Sequence, residues 1–275
     1  MFEILDTESL APKTKRAEIF APLVARHARA GQFIILRLHE KGERIPLTLF
    51  KTDKEKGTIQ IVFKENGKTT HQLGGLQPGD HILDVVGPLG KPTHVENFGT
   101  VVVIGGGVGS PIAYAVAKAL REGGNHVIGI IGFRSQNLVI LEEDMREVCH
   151  ELLVSTDDGS YGKKGFTTHL LQELIDSGQN IDYVFSVGPV LMMKATAEIT
   201  HRHGIKTVSS VNPIMVDGTG MCGACRVCTK QGIQFACVDG PEFDAHEIDY
   251  DELFQRLNEY QKEEQQALER YLGES

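Results

Sequence analysis

Four of the five cysteines of this chain fall between Cys222 and Cys237. A stretch that short, dense in thiols and glycine, cannot bury a hydrophobic core of its own, so it must be organised around something else. Counted from Asp217, the spacing is Asp-x4-Cys222-x2-Cys225-x11-Cys237. The plant-type [2Fe–2S] frame is C-x4-C-x2-C…C, and here an aspartate stands in its first position. Gly218, Gly220 and Gly223 let such a loop close tightly around an inorganic core. Other readings stay open on spacing alone. Cys222, Cys225 and Cys228 form C-x2-C-x2-C, which with Cys237 offers four thiolates to a [4Fe–4S] cluster or a structural zinc. The x3-Cys-Pro ending of bacterial [4Fe–4S] runs is missing, as is the second knuckle of a zinc site. A disulfide framework is disfavoured, because MFEILDTESLAPKTKRAEIF contains no apolar signal core. If Asp217 is a ligand, Cys228 is a spare thiol. Cys149 reads as a small core residue.

The formal net charge of −9 argues against nucleic acid as a partner, since phosphate neutralisation needs a basic face. No apolar run approaches the ~20 residues of a membrane helix. The expectation is a cytoplasmic protein with no membrane contact.

Residues 1–96 read as all-β. Phe33-Ile-Ile-Leu-Arg-Leu38 and Ile59-Gln-Ile-Val-Phe63 are β-branched or aromatic runs between turns such as Glu65-Asn-Gly67 and Gln77-Pro-Gly-Asp80. Many short strands with this punctuation predict a small antiparallel barrel. Over 97–210 the texture changes. Thr100-Val-Val-Val-Ile104 is a continuous apolar strand, followed by a glycine turn and the helical run Pro111–Leu120. Strands at His126–Ile131, Glu151–Ser155 and Tyr183–Val187 alternate with helices at Glu142–Val148, Thr168–Ser177 and Val190–His203, the pattern of a doubly wound parallel sheet. Residues 211–244 form the cysteine unit. Residues 245–275 read as an acidic terminal helix, carried on Leu253, Leu257, Tyr260, Leu268 and Tyr271. It would pack either on its own chain or on a partner.

The glycine turn Gly105-Gly-Gly107-Val108-Gly109 lies between strand and helix, where a pyrophosphate can meet main-chain N–H groups and the helix dipole. Ser110 and Pro111 depart from G-x-G-x-x-G. Further candidates sit at carboxyl ends of predicted strands: Arg134, then Thr156, Asp157 and Asp158, then Gly188 and Pro189. The aspartates suit ribose hydroxyls or, equally, turn capping. In the barrel, Arg44-Ile-Pro-Leu-Thr48 offers a cation and a hydroxyl, and Gly67-Lys-Thr-Thr70 opens a short helix. No histidine is assigned a catalytic role.

Barrel, nucleotide fold and cysteine loop, in that order, resemble one branch of the ferredoxin–NADP reductase superfamily. The branch holds the electron-transfer subunit of class 1B dihydroorotate dehydrogenase and the small subunit of NADH-dependent ferredoxin:NADP oxidoreductase, also described as sulfide dehydrogenase. The chain looks more like the second, on the Asp217 substitution, and the most specific part of the resemblance is the cluster loop with Val238-Asp-Gly-Pro241 after it. The resemblance implies an oxidoreductase subunit carrying FAD, NAD(H) and a [2Fe–2S] cluster, its chemistry borne by the flavin. Ile45, Pro46, Leu47 and Thr48 fall on the family's R-P-x-S flavin motif, with the arginine one place early at Arg44. Leu47 stands where many reductases carry an aromatic. Val62, Phe63 and Lys64, then Gly67, Thr69 and Thr70, fall on its next FAD segments. The NAD residues it implies are Gly105, Gly107, Val108, Gly109, Arg134, Thr156, Asp157, Asp158, Gly188 and Pro189. The resemblance implies a cluster held by Asp217, Cys222, Cys225 and Cys237, with Cys228 as the substitute if Asp217 is not a ligand. The implied partner is a larger flavoprotein and iron–sulfur subunit in a heterodimer or higher assembly, through which ferredoxin would be reached. A dihydroorotate dehydrogenase partner is the alternative; a zinc-stapled regulatory module without turnover is a third reading, of another class.

Overall fold

The computed structural model describes residues 1–273. Its first unit contains β1 (Phe2–Ala11), β2 (Thr14–Phe20), α1 (Pro22–His27), β3 (Phe33–Arg37), β4 (Ile45–Asp53), β5 (Thr58–Lys64), α2 (Lys68–Gly75), β6 (His81–Ile82) and β7 (Asp84–Leu89). The strands pair antiparallel in the order β6-β1-β2-β5-β4-β3-β7, a near-closed barrel. Alternation decides which side chains enter it. Ile34 and Leu36 of β3, Leu49 of β4, and Ile59, Ile61 and Phe63 of β5 fill the interior. Their neighbours Phe33, Ile35, Phe50 and Val62 face outward and are nonetheless buried, because other units cover them.

The second unit contains β8 (Thr100–Gly106), α3 (Ser110–Glu122), β9 (His126–Phe133), α4 (Glu142–Val148), β10 (Glu151–Thr156), β11 (Lys163–Lys164), α5 (Thr167–Asp176), β12 (Tyr183–Val187), α6 (Val190–Arg202) and β13 (Lys206–Ser210). Its sheet runs β11-β10-β9-β8-β12-β13, all parallel, with one antiparallel strand added at the β13 edge. The continuous apolar run of β8 has a direct cause. Val101 and Val103 enter one core with α3, while Val102 and Ile104 enter the core on the opposite face with Leu170, Leu171 and Ile199.

The third unit is the hairpin β14 (Arg226–Thr229) and β15 (Gly232–Phe235), then β16 (Glu242–Asp244), α7 (Tyr250–Leu257) and α8 (Gln261–Gly273). β16 is the antiparallel edge strand beside β13. The tail is helical, as its periodicity predicts, but it divides in two around Asn258. α7, capped by Asp249 through the N–H groups of Asp251 and Glu252, buries Tyr250 and Leu253. α8 buries no residue and returns to lie against α2 of the barrel. The tail therefore packs on its own chain. Among the described residues no helix is long and apolar enough to cross a membrane.

Candidate functional site

In this sheet order β8 lies between β9 and β12, so the chain reverses direction across the sheet between β8 and β12. Such a switch point opens a crevice at the strands' carboxyl ends. The two turns there touch. A side chain at Gly188, whose φ is +149°, would come within 3.0 Å of the Gly106 main chain, and one at Gly109 within 2.5 Å of the Val187 carbonyl oxygen. Gly107 differs. Its φ is +54° and nothing lies within 4 Å of where a Cβ would stand, so here the main chain is open to a ligand. Behind it, Ser110 at the start of α3 is fully buried and its hydroxyl has no partner among the described residues. An open cradle and an orphaned hydroxyl at a helix N-terminus fit a nucleotide's pyrophosphate. Val108 is exposed at the rim, and Pro189 opens α6.

The other nucleotide candidates divide. Thr156 is buried and committed to its own turn: its Oγ1 donates to the Tyr161 carbonyl at 2.7 Å and accepts from the Tyr161 N–H at 3.1 Å. Asp158 caps the same turn, with Ser160 donating through both Oγ and N–H, and these bonds hold its carboxyl below the usual range. Asp157 and Arg134 are exposed, and neither side chain has a partner among the described residues.

The flavin candidates lie on adjacent strands. Ile45 and Leu47 point inward against the barrel core, so Leu47 offers no ring-stacking surface on the outer face. Pro46 and Thr48 point outward, and the Thr48 hydroxyl has no partner among the described residues. Of the next segment, Val62 is outward, while Phe63 is 3% exposed inside the barrel and can present only its main chain. Thr69 and Thr70 are also committed. The Thr69 hydroxyl bonds to the Glu43 carboxylate, and Thr70 Oγ1 accepts from the N–H groups of Asn66 and Gly67. The open main-chain N–H groups of the first turn of α2, after Gly67, remain for an anion. Arg44 precedes β4, Lys64 ends the antiparallel β5 and Lys68 starts α2. None of the three has an ion-pair partner among the described residues. Three unpaired cations, open helix N–H groups and a free hydroxyl suit FAD, with its diphosphate and ring.

Register relates this surface to the cysteine loop. Phe33 pairs with Thr48 and Ile35 with Pro46, and cross-strand partners share a face. Phe33 and Ile35 are in turn buried in one core with Cys225, Cys237, Val227 and Phe243. A Cβ at Gly218 would lie 2.8 Å from Ile35 Cδ1, so the loop sits on β3. Within it, the Cys237 N–H points at Cys225 Sγ at 3.4 Å. Burial and then the neighbouring Cys225 push the Cys237 thiol up, with Asp217 adding its charge. Asp217 accepts from the N–H groups of Thr219 at 2.9 Å and Cys222 at 3.1 Å, which holds its carboxyl below the usual range. Among the described residues no three acidic, His or Cys side chains converge at metal-bonding distance. The loop nevertheless gathers one carboxylate and buried thiols, a donor set that suits iron. Cys228 is elsewhere: on β14, with its carbonyl accepting from Asp249 and its thiol pushed up by burial and by Glu252 and Asp249.

Sequence reasoning missed Gly106, Ser110 and Lys68. Each stands inside a quoted motif, so inspecting every position of those motifs would have found them. It also missed Phe33 and Ile35, for which only the strand register is a signal.

Comparison with known proteins bears on all three sites. Residues 2–94 match an oxidoreductase FAD-binding domain. Residues 212–249 match the iron–sulfur cluster binding domain of dihydroorotate dehydrogenase B. The chain is 49% identical to a Thermotoga maritima homolog of the dihydroorotate dehydrogenase B (NAD(+)) electron transfer subunit, covering 94% of this chain and 92% of the relative. It is 32% identical to the subunit itself from Geobacillus thermodenitrificans, over 89% and 96%. A solved structure of an NADH-dependent reduced ferredoxin-NADP oxidoreductase, studied for flavin-based electron bifurcation, superposes with a TM-score of 0.94 at 46% identity, covering 99% of this chain and 98% of that one. FAD, NAD(H) and an iron–sulfur cluster are accordingly the cofactors, and the chain belongs to the family of dihydroorotate dehydrogenase B electron-transfer subunits and their homologues, as an oxidoreductase subunit that transfers electrons.

Proposed function

We propose that this chain is the NADH-linked small subunit of a ferredoxin:NADP oxidoreductase, working in the cytoplasm as half of a heterodimer or larger assembly with a bigger flavoprotein. The observation that carries the reading is the outer face of β3 and β4. Pro46 and Thr48 lie beside Ile35 and Phe33, on which the cysteine loop is seated, while Phe50 on the same strand packs into the nucleotide unit. The similarity to the ferredoxin-NADP oxidoreductase structure favours this enzyme type.

In this proposal residues 1–96 hold the flavin, 97–210 the nucleotide, 211–244 the cluster, and 245–275 form the tail. Bound FAD accepts a hydride and a [2Fe–2S] cluster carries single electrons, so together they join two-electron to one-electron chemistry. Arg44, Lys64 and the α2 N-terminus after Gly67, including the main chain of Thr69 and Thr70, hold the diphosphate. Thr48 offers a hydrogen bond to the ring, with Pro46 beside it and the main chain of Ile45, Leu47, Val62 and Phe63 forming its seat. Gly105, Gly107, Val108, Gly109, Gly188 and Pro189 form the NAD(H) crevice, with Arg134, Thr156, Asp157 and Asp158 at its far end. Asp217, Cys222, Cys225 and Cys237 hold the cluster. Val216, Met221 and Val238 are exposed around that loop and suit a docked partner.

A second reading makes the partner a dihydroorotate dehydrogenase, favoured by the family model over 212–249. The deciding experiment is anaerobic purification of the tagged chain with whatever accompanies it. Expected are a larger flavoprotein partner, about two iron and one FAD in the tagged chain once that partner is separated from it, and NADH-linked reduction of NADP with reduced ferredoxin. A complex that oxidises dihydroorotate instead selects the second reading. Zinc without flavin discards both.

A further inference from the structure

The barrel and the nucleotide unit share a contact that no cofactor role uses. On β4, Phe50 is buried, and its ring centroid lies 4.8 Å from that of Tyr114 on α3, the planes inclined at 55°. The next residue, Lys51, crosses the boundary. Its Nζ stands 5.0 Å from the centroid of each ring and 2.5 Å from Asp144 Oδ1 on α4. Around this point Phe50 and Val62 of the barrel join Val101, Val116 and Met145 in one core. An ammonium lodged over two ring faces and held by a carboxylate is directional, unlike the apolar packing around it.

The location gives the contact its meaning. Thr48 lies three residues before Lys51 on β4, about 10 Å at a strand's rise. The glycine turn lies just before α3, with Tyr114 about one helical turn into it. The element proposed to carry the flavin and the element that leads from the nucleotide turn are thus tied to each other directly. Hydride transfer needs donor and acceptor atoms about 3–3.5 Å apart and aligned.

We infer that Lys51, held by Asp144 over the Phe50 and Tyr114 rings, is a positioning residue that fixes the nucleotide unit against the barrel and so sets the alignment of the nicotinamide on the flavin. The inference rests on the flavin and nucleotide sites proposed above. The step it would govern is the passage of a hydride, with its two electrons, from NADH to bound flavin, which would leave NAD+ and reduced flavin.

The test uses the full chain loaded with its cofactors. Lys51→Met keeps the stem along the rings and removes the charge. In anaerobic stopped flow the limiting rate of flavin reduction at saturating NADH falls about tenfold, as expected for a slight misalignment, while the Kd for NADH and the FAD content hold. The long-wavelength charge-transfer absorption of stacked nicotinamide and flavin weakens with it. Lys51→Arg restores most of the rate, and Asp144→Asn reproduces the defect. Without any turnover, flavin-free Lys51→Met shows faster hydrogen exchange at the β4 and α3 amides. An unchanged limiting rate, or a change in Kd alone, overturns the inference. If Lys51→Met does not fold, Asp144→Asn and Lys51→Arg carry the test, and a wild-type rate in Asp144→Asn overturns it. A wild-type chain that holds FAD but is not reduced by NADH overturns the underlying reading, a separate result.

Discussion

Asp217 uses both carboxylate oxygens on the amides of its own loop, Oδ1 for Thr219 and Oδ2 for Cys222. The charge of Asp217 reaches the Cys237 thiol, which lies beside Cys225, whereas the charges that reach the Cys228 thiol are those of Glu252 and Asp249. The two ligand sets left open by spacing therefore make opposite predictions. Asp217→Ala should lower the iron content well below the about two per chain of a [2Fe–2S] site, and Cys228→Ser should leave it unchanged. Iron analysis with EPR after dithionite reads both variants. Iron lost in Cys228→Ser and kept in Asp217→Ala would reverse the assignment. The spacing was legible because the loop is local in sequence. The roles of Thr69, Thr70 and Thr156 were not. Each lies in the expected motif, but its hydroxyl goes to a carboxylate or main-chain group that only the folded turn brings near.

Among the elements, β16 has the most unusual surroundings. Glu242 accepts from Thr93 Oγ1 of the barrel at 2.6 Å, and a Cβ at Gly31 would lie 2.4 Å from the same carboxylate oxygen. The side chain is thus enclosed between the edge of the parallel sheet and the barrel. Burial pushes its carboxyl up to about 7, and the Thr93 bond lowers it by less. The folded chain holds this proton more tightly than the unfolded one, whose carboxyl titrates near the ordinary 4.5. This stabilisation is complete below pH 4.5 and fades as pH rises to about 7, on the order of 3 kcal/mol in all. Glu242→Gln keeps the acceptor oxygen and should flatten that part of the Tm-against-pH curve; a parallel curve would show that Glu242 does not titrate in this range. Strands with strong β-branched runs, such as β8, β9 and β12, were legible. β13 (Lys206-Thr-Val-Ser-Ser210) and β16 were not, because their polar residues are satisfied across the sheet: Ser209 bonds Ser186 and Tyr250. The division of the tail at Asn258 was hidden because its apolar spacing continues through the break.

At the scale of the molecule, the proposed flavin seat has the cluster unit on one flank and the nucleotide unit on the other. Phe33 and Ile35 face the cluster unit; Phe50 and Val62 face the nucleotide unit. The three kinds of unit were legible from local texture, but their mutual placement was not. It depends on β3 pairing with β4 and on which outward residues each neighbour covers, and neither leaves a periodic trace. This arrangement predicts that the two halves of electron transfer can be impaired separately. Phe33→Leu shortens a buried side chain under the cysteine loop, at a cost of about 1 kcal/mol for a near-conservative core change. It should loosen the cluster against Thr48 while leaving the Lys51 contact intact. In anaerobic stopped flow, flavin reduction by NADH then proceeds at the wild-type rate, and the later one-electron reduction of the cluster, followed by freeze-quench EPR, slows several-fold. Lys51→Met should give the opposite pair of results. If both variants slow the same step, the two flanks do not act independently, and the relay drawn from the outer face of β3 and β4 is wrong.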